Sequence, residues 1–329
     1  MTLRSEDSFL ALIDRYFPNT HAHMPLGRGD DCAVLRAPDW MCLTADMFVE
    51  DVHFRRTYFS PEDIGYKALA VNLSDIAGMG ARPLGFALNL MATGRESDEF
   101  CEGLVSGMAD LAREHDLPLV GGDLSRGPAL AVAITMWGKS QKRFLLRRNC
   151  QPGDLLFCLG DVGLARCGLS VLERDDESLR WRFPEAVEAH LRPQIRLEQA
   201  QTLGEFEQVR GLMDVSDGLM QDLPRFVGPG FGVEVFMSES EVHPEVVEFA
   251  REFAGLPGVE QALLGGEDYA LLGAAAPEAS HFLEREFPEI LWLGKVVERS
   301  GIYLDGARLD LKGFDHFGAD FPEQSEDGE

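Results

Sequence analysis

The residues of this chain that could do chemistry fall in short blocks where a carboxylate stands beside glycine or another small residue. They are Gly29-Asp30-Asp31, Thr44-Ala45-Asp46, Asn72-Leu73-Ser74-Asp75, Gly121-Gly122-Asp123, Asp214-Val215-Ser216-Asp217-Gly218 and Gly265-Gly266-Glu267-Asp268. Carboxylates with little bulk around them suit a hard divalent cation. Mg²⁺ takes oxygen ligands, keeps several waters and is commonly completed by substrate phosphates. Singly, most blocks have a plainer reading. Asp30-Asp31 reads as a turn, Asn72 and Asp75 as the polar face of a helix, and Ser216 or Asp217 as a helix N-cap. Asp46, at the end of an apolar run, is harder to dismiss, because a buried carboxylate needs a partner. Six such blocks together favour one cleft that gathers Mg²⁺ around a phosphate-bearing substrate. His53 and Arg147-Arg148 are further candidates. A lone histidine is usually structural or solvated, whereas an arginine at a domain junction can hold phosphate.

Other phosphate machinery is missing. The chain has no Gly-x-x-x-x-Gly-Lys-Ser/Thr, no Gly-x-Gly-x-x-Gly and no Gly-x-Ser-x-Gly, so a P-loop, a dinucleotide fingerprint and a nucleophile elbow are unsupported. Among 329 residues there are 56 acidic and 30 basic ones, a net charge of -26. That excludes a basic nucleic-acid surface and disfavours docking to anionic membrane. Most of the charge serves solubility. The six cysteines form no Cys-x-x-Cys pair and read as buried thiols in a reducing compartment. No apolar signal core opens the chain, and Arg82 interrupts the longest apolar stretch, so a cytoplasmic protein is expected.

The elements that must position these residues read as two mixed α/β halves, 1–150 and 151–329, divided at the turn Gln151-Pro152-Gly153-Asp154. In the first half, a helix is expected over 6–17 and strands over 32–36 and 40–48. Ser60-Pro61-Glu62-Asp63 opens a helix to about Met79, with Ser60 as N-cap and Pro61 in the first turn. Asn72 and Asp75 share a face of it, roughly opposite part of the apolar stripe Ile64, Ala68, Val71. Strands follow at 84–91, 117–121 and 129–137, with a helix over 97–114. The second half reads as strands near 155–159, 213–215, 232–237, 269–274 and 290–297. Helices are expected from Gly163, over 185–203, from Asp217-Gly218, and near 244–254 and 277–286. Residues 173–182 read as a charged stretch, and a hairpin closes at Asp305-Gly306.

Several blocks, in order, resemble the thiamine-monophosphate kinase family. They are Gly29-Asp30-Asp31-Cys32-Ala33, His53-Phe54, Tyr66-Lys67-Ala68-Leu69-Ala70-Val71-Asn72-Leu73-Ser74-Asp75-Ile76-Ala77, Gly121-Gly122-Asp123, His190-Leu191-Arg192-Pro193, Asp214-Val215-Ser216-Asp217-Gly218-Leu219, Gly265-Gly266-Glu267-Asp268-Tyr269 and Gly313-Phe314-Asp315-His316-Phe317. The resemblance implies the fold of aminoimidazole ribonucleotide synthetase and selenophosphate synthetase: an N-terminal sheet domain that forms a homodimer, and a C-terminal α/β domain. It implies transfer of the ATP γ-phosphoryl group to thiamine monophosphate. The metal positions then fall on Asp31, Thr44, Ala45, Asp46, Asp75, Asp123, Asp214 and Asp217. ATP contacts fall on Gly122, Asp123, Arg147 and Ser216, and the thiamine side on His53, Glu267 and Phe314. The chain departs from the family at Ala45, where a threonine is usual and only backbone oxygen is left to a metal. It departs again at Leu124, at Glu114-His115 where a stacking tyrosine is expected, and at Ala270.

The acceptor is a phosphate oxygen, already largely ionised near neutral pH, so the obstacle is repulsion between two anions rather than a missing base. Mg²⁺ held by Asp46, Asp75, Asp123 and Asp214 would neutralise and align them, with Arg147 adding charge on the transferring group. Direct transfer without a phosphoenzyme is expected. The rivals are a superfamily enzyme with a different acceptor and a non-catalytic acidic metal-binding protein.

Overall fold

The computed structural model describes residues 6–174 and 176–311. Phe314, with its block 313–317, lies outside them. The first half contains α1 (Glu6–Tyr16), β1 (Cys42–Val49), α2 (Pro61–Gly78), β2 (Ala81–Ala92), α3 (Asp98–Glu114), β3 (Leu119–Arg126) and β4 (Ala131–Ser140). Its four strands form one sheet in the order β1-β4-β2-β3. The second half contains β5 (Leu155–Leu159), α4 (Leu164–Leu172), α5 (Glu177–Arg182), α6 (Pro184–Leu191), α7 (Leu197–Gly204), β6 (Val209–Asp214), α8 (Leu219–Val227) and β7 (Gly232–Val235). Then come α9 (Pro244–Phe249), α10 (Gly258–Leu263), β8 (Leu271–Ala275), α11 (Ser280–Glu286), β9 (Leu291–Val297), β10 (Gly301–Leu304) and β11 (Ala307–Arg308). Its seven strands run β11-β10-β7-β9-β5-β8-β6. Among the described residues no helix is long and apolar enough to cross a membrane.

Helix α2 is the element that organises the molecule. Its start carries the capping box its sequence announces: Ser60 Oγ accepts from the Asp63 N–H at 3.1 Å, and Asp63 Oδ2 accepts from the Ser60 N–H at 3.3 Å, which satisfies two otherwise orphaned donors. The expected division into apolar stripe and polar face is corrected by the structure. Lys67, Asn72 and Ser74 are buried together with Ile64, Leu69, Leu73 and Ile76, because α2 packs on α3, on the first sheet and on the end of β6. At Gly78 the approach to β6 is so close that an added Cβ would lie 2.9 Å from the Asp214 nitrogen.

Among the described residues, helices pack on one face of the first sheet. In register, Asp46 lies beside Ile134, which lies beside Leu88, and these two are buried. The alternate residues Leu43, Ala45 and Met47 turn the other way, with Leu43 and Met47 each 60% exposed.

Other expectations are adjusted. Residues 32–36 form a single bridge, Leu26 to Val34, rather than a strand. Strand β3 does not end at Gly121 but runs to Arg126. Gly122 allows this: a Cβ there would collide with the Leu88 carbonyl oxygen of the neighbouring strand at 1.6 Å. The helix expected over 185–203 is two helices, since the residue before a proline is pushed out of the α region and Arg192, before Pro193, has φ -134°. The charged stretch 173–182 contains α5, and α10 was not anticipated. The Asp305-Gly306 turn is as expected, with φ of 51° and 77° between paired β10 and β11. Cys101, Cys150, Cys158 and Cys167 are buried free thiols, whereas Cys32 is exposed and Cys42 half-buried.

Candidate active site

Three elements bring carboxylates together: β1 with Thr44 and Asp46, the last turns of α2 with Ser74 and Asp75, and the end of β6 with Asp214. Thr44 Oγ1 donates to Asp75 Oδ2. Ser74 Oγ donates to Asp214 Oδ2 at 2.8 Å. Burial, then the charge of Asp75 and a hydrogen bond with it, push the Asp46 carboxyl up to about 6. Burial also raises Asp75, although Thr44, Asp46 and the positive charge of Arg147 pull it back. Asp214 is pushed up to about 7 by burial and by Asp75, against the Ser74 hydrogen bond. Tyr269 is buried within the field of the same group: burial and the charges of Glu267, Asp214, Asp46 and Asp75 hold its hydroxyl well above the usual range.

These shifts share one cause. That cause is burial, to which neighbouring negative charge adds at Asp46, Asp214 and Tyr269, so a proton or a cation must relieve the carboxylates. The donors are hard oxygens, which suits Mg²⁺ rather than zinc. Among the described residues no group of three or more acidic, histidine or cysteine side chains is placed to hold a metal ion by itself. A partial oxygen set is the arrangement Mg²⁺ uses when substrate phosphates supply the rest, so the residues fit that ion.

The turn after β6 is built against the segment before β8. Val215 N–H donates to Ala270 O at 2.8 Å, Tyr269 N–H to Val215 O at 2.9 Å, and Glu267 N–H to Ser216 O at 2.7 Å. Buried Asp222 accepts from the N–H groups of Ser216 (3.1 Å) and Asp217 (3.0 Å), while the Asp217 carboxylate pairs with Arg225. Burial pushes Asp222 up to about 6 against those two N–H groups. Asp268 caps α4 instead of facing the cluster, accepting from Gly163 N–H at 2.7 Å and Ala165 N–H at 3.0 Å. Glu267 and Tyr269 hold left-handed backbones, φ 59° and 50°, which cost energy for residues with a Cβ and tend to collect at functional sites.

Not every expected site residue joins this cluster. Asp31 is exposed in a turn, where Asp30 Oδ1 accepts its N–H at 2.8 Å. Ala45 turns its methyl to the open face of β1. Gly122 and Asp123 lie on β3, the far edge of the four-stranded sheet, about 14 Å from Asp46 at three strand spacings. Asp123 pairs in register with Asn89, which pairs with Ala133, which pairs with Met47, so it points to the open face. Its carboxylate accepts from Ser125 Oγ at 2.9 Å. His53 Nδ1 accepts from Val49 N–H at 3.1 Å. Its ring lies 5.9 Å from that of Phe48, which is 6.1 Å from Phe59. Phe59 in turn lies 5.5 Å from His190, beside Glu267. Rings thus connect the two described thiamine-side candidates.

Lys67, Ser74, Asp222 and Tyr269 hold or surround the site, although none of them was among the expected site residues. The available signal for Lys67 was a lone lysine inside the apolar run Tyr66–Val71. Ser74 and Asp222 carried none beyond their neighbours.

Residues 29–140 match the model of the family described as AIR synthase related protein, N-terminal domain. A thiamine-monophosphate kinase of Bacillus subtilis (strain 168) is 32% identical over 325 residues, covering 93% of this chain and 98% of that one. The crystal structure of thiamine-monophosphate kinase from Stenotrophomonas maltophilia K279a superposes with a TM-score of 0.79 at 29% identity, covering 94% of this chain and 99% of that chain. A structure described as AaThiL complexed with AMPPCP and TMP gives a TM-score of 0.72 at 25% identity, covering 95% and 97%.

Proposed function

The chain belongs to the thiamine-monophosphate kinase family, and on that premise we propose that it transfers the γ-phosphoryl group of ATP directly to the phosphate of thiamine monophosphate. A phosphate oxygen of the acceptor attacks the γ-phosphorus, the bond to the β-phosphate oxygen breaks, and thiamine diphosphate and ADP leave. No proton need be removed from an acceptor already ionised. The observation that carries the reading is the convergence of Asp46, Asp75 and Asp214, with Arg147 close enough to lower Asp75, in a chain that matches such kinases over nearly its whole length.

Asp31, Thr44, Asp46, Asp75, Asp123, Asp214 and Asp217, with the backbone of Ala45, would hold several Mg²⁺ ions, whose charge would offset the repulsion between the two phosphates. The protein's own part is to hold those oxygens in place. Thr44 orients Asp75, Ser74 orients Asp214, and Asp222 fixes the backbone of Ser216 and Asp217. Arg147 supplies positive charge to the transferring group, Gly122 and Ser216 contact ATP, and His53, Glu267 and Phe314 receive the thiamine half.

The position of Asp123 supports a homodimer. It cannot reach Asp46 of its own chain around two intervening strands, but it lies on the same open, partly apolar face as Ala45, Leu43 and Met47. Two such faces brought together would set Asp123 of the partner subunit beside β1. Residues 1–150 would then carry ATP, metal and the dimer contact, and residues 151–329 complete the acceptor side, in a cytoplasmic enzyme. Release of ADP with ATP, Mg²⁺ and thiamine monophosphate tests the reading. Turnover that requires thiamine monophosphate is expected. MgATP binding with no turnover of this acceptor would move the chain to another acceptor of the superfamily.

A further inference from the structure

We propose that Lys67, backed by His190, is a positioning residue that fixes Glu267 at the acceptor end of the site and ties it through α2 to the phosphate end. The inference rests on the acceptor reading above and deepens it.

Lys67 and His190 are both fully buried. Lys67 Nζ donates to the His190 carbonyl oxygen at 2.7 Å, faces Glu267 Oε1 at 3.3 Å, and lies 5.6 Å from the centre of the Phe59 ring. His190 Nδ1 faces the other oxygen, Glu267 Oε2, at 3.4 Å. Each carboxylate oxygen thus has a buried nitrogen beside it, and Lys67 Nζ and His190 Nδ1 lie 3.5 Å apart. Only Glu267 reaches out of this group, its side chain 29% exposed. Burial draws the lysine down, while Glu267 and then Asp268 draw it back up. Burial and Lys67 hold His190 well below its usual value, so the ring is neutral.

A surface glutamate needs no buried cation behind it, and a buried ion pair is a poor way to gain stability. Here the backbone of Glu267 is also held, in a left-handed conformation with its N–H on Ser216 O. Side chain and main chain are therefore both fixed, and the remaining acceptor capacity of the carboxylate faces outward. That suits a ligand that brings N–H donors or a cationic ring. The same helix carries both anchors: Ser74 follows Lys67 by seven residues, two turns and about 10 Å along one face. Lys67 sets Glu267 and Ser74 sets Asp214, so α2 spaces the two ends of the substrate.

Steady-state kinetics of Lys67→Met and Glu267→Gln test the proposal, alone and combined. Each single variant should raise the KM for thiamine monophosphate about tenfold, the worth of one hydrogen bond to a charged group. The KM for ATP should stay within about twofold, since the ATP contacts are untouched. The double variant should be no worse than Glu267→Gln, because both changes remove one device. Losses that multiply, or equal rises in both KM values, would overturn it. Should Lys67→Met fail to fold, Glu267→Gln still decides, because an unchanged acceptor KM there contradicts the proposal. Absence of turnover in the unaltered enzyme would instead refute the acceptor reading itself.

Discussion

Ser74 and Asp214, 140 residues apart, are joined by a 2.8 Å hydrogen bond from the serine hydroxyl to Oδ2, and that bond crosses from the helix over one sheet to the edge strand of the other. Asp214 is 8% exposed and forms no ion pair among the described residues, so the serine is its main local compensation. Ser74→Ala should raise the Asp214 carboxyl further and loosen its orientation. The expected result is a fall in kcat/KM of about 10- to 100-fold, the usual effect of removing a group that orients a metal ligand, partly recovered at high Mg²⁺. Activity measured across a Mg²⁺ titration checks this; an unchanged Mg²⁺ requirement would contradict it.

Asp46 and Asp214, raised to about 6 and about 7, give the Mg²⁺ requirement a pH dependence of definite sign. Their folded values lie above the unfolded one, so the metal-free fold binds protons more tightly than the unfolded chain and loses stability as pH rises from about 4 to 7. Mg²⁺ must displace those protons, so its apparent affinity should tighten over the upper part of this window. Thermal unfolding with and without Mg²⁺ at pH 5.5 and 8 should show a larger stabilisation at the higher pH. Equal stabilisation at both would contradict proton-linked Mg²⁺ binding at Asp46 and Asp214.

Gly78 should tolerate no side chain. A Cβ placed 2.9 Å from the Asp214 nitrogen forces α2 away from β6, and overpacking of this kind costs about 1–3 kcal/mol. Gly78→Ala should therefore lower the unfolding midpoint and, by moving Asp75 from Asp214, lower kcat as well. Denaturant unfolding and kcat measured on the same preparation check both effects.

How much of this was legible varied with the kind of signal. Local chemistry was readable. Ser60-Pro61-Glu62-Asp63 specified the start of α2, and Asp305-Gly306 specified its turn, because capping and left-handed turns depend on a few adjacent residues. What depended on tertiary packing was not. A helix buried on nearly every side shows no clear polar face, so Asn72 was placed toward the polar side and is buried. The acidic blocks identified the oxygen donors, but spacing along a chain does not say which sheet edge a strand occupies. Asp123 therefore read as a neighbour of Asp46, although three strand spacings separate them. Lys67 was visible as an odd residue in an apolar run; its partners, 123 and 200 residues further on, were not.

The location of Asp123 leads to a complementation test. Asp75→Asn and Asp123→Asn homodimers should each be nearly inactive. If Asp123 serves the partner's site, mixed dimers contain one intact site, and random exchange of equal amounts should restore about a quarter of full activity by the symmetry of a two-fold dimer. No recovery after verified subunit exchange would place Asp123 outside a shared site.

Direct transfer is the central claim, and rapid-quench single turnover with γ-labelled ATP, Mg²⁺ and thiamine monophosphate tests it most directly. The label should pass from ATP to the terminal phosphate of thiamine diphosphate at equal and opposite rates, with one ADP per product and none on the protein. Label that accumulates on the protein and is then chased into thiamine diphosphate, or ADP released without that product, would contradict the account.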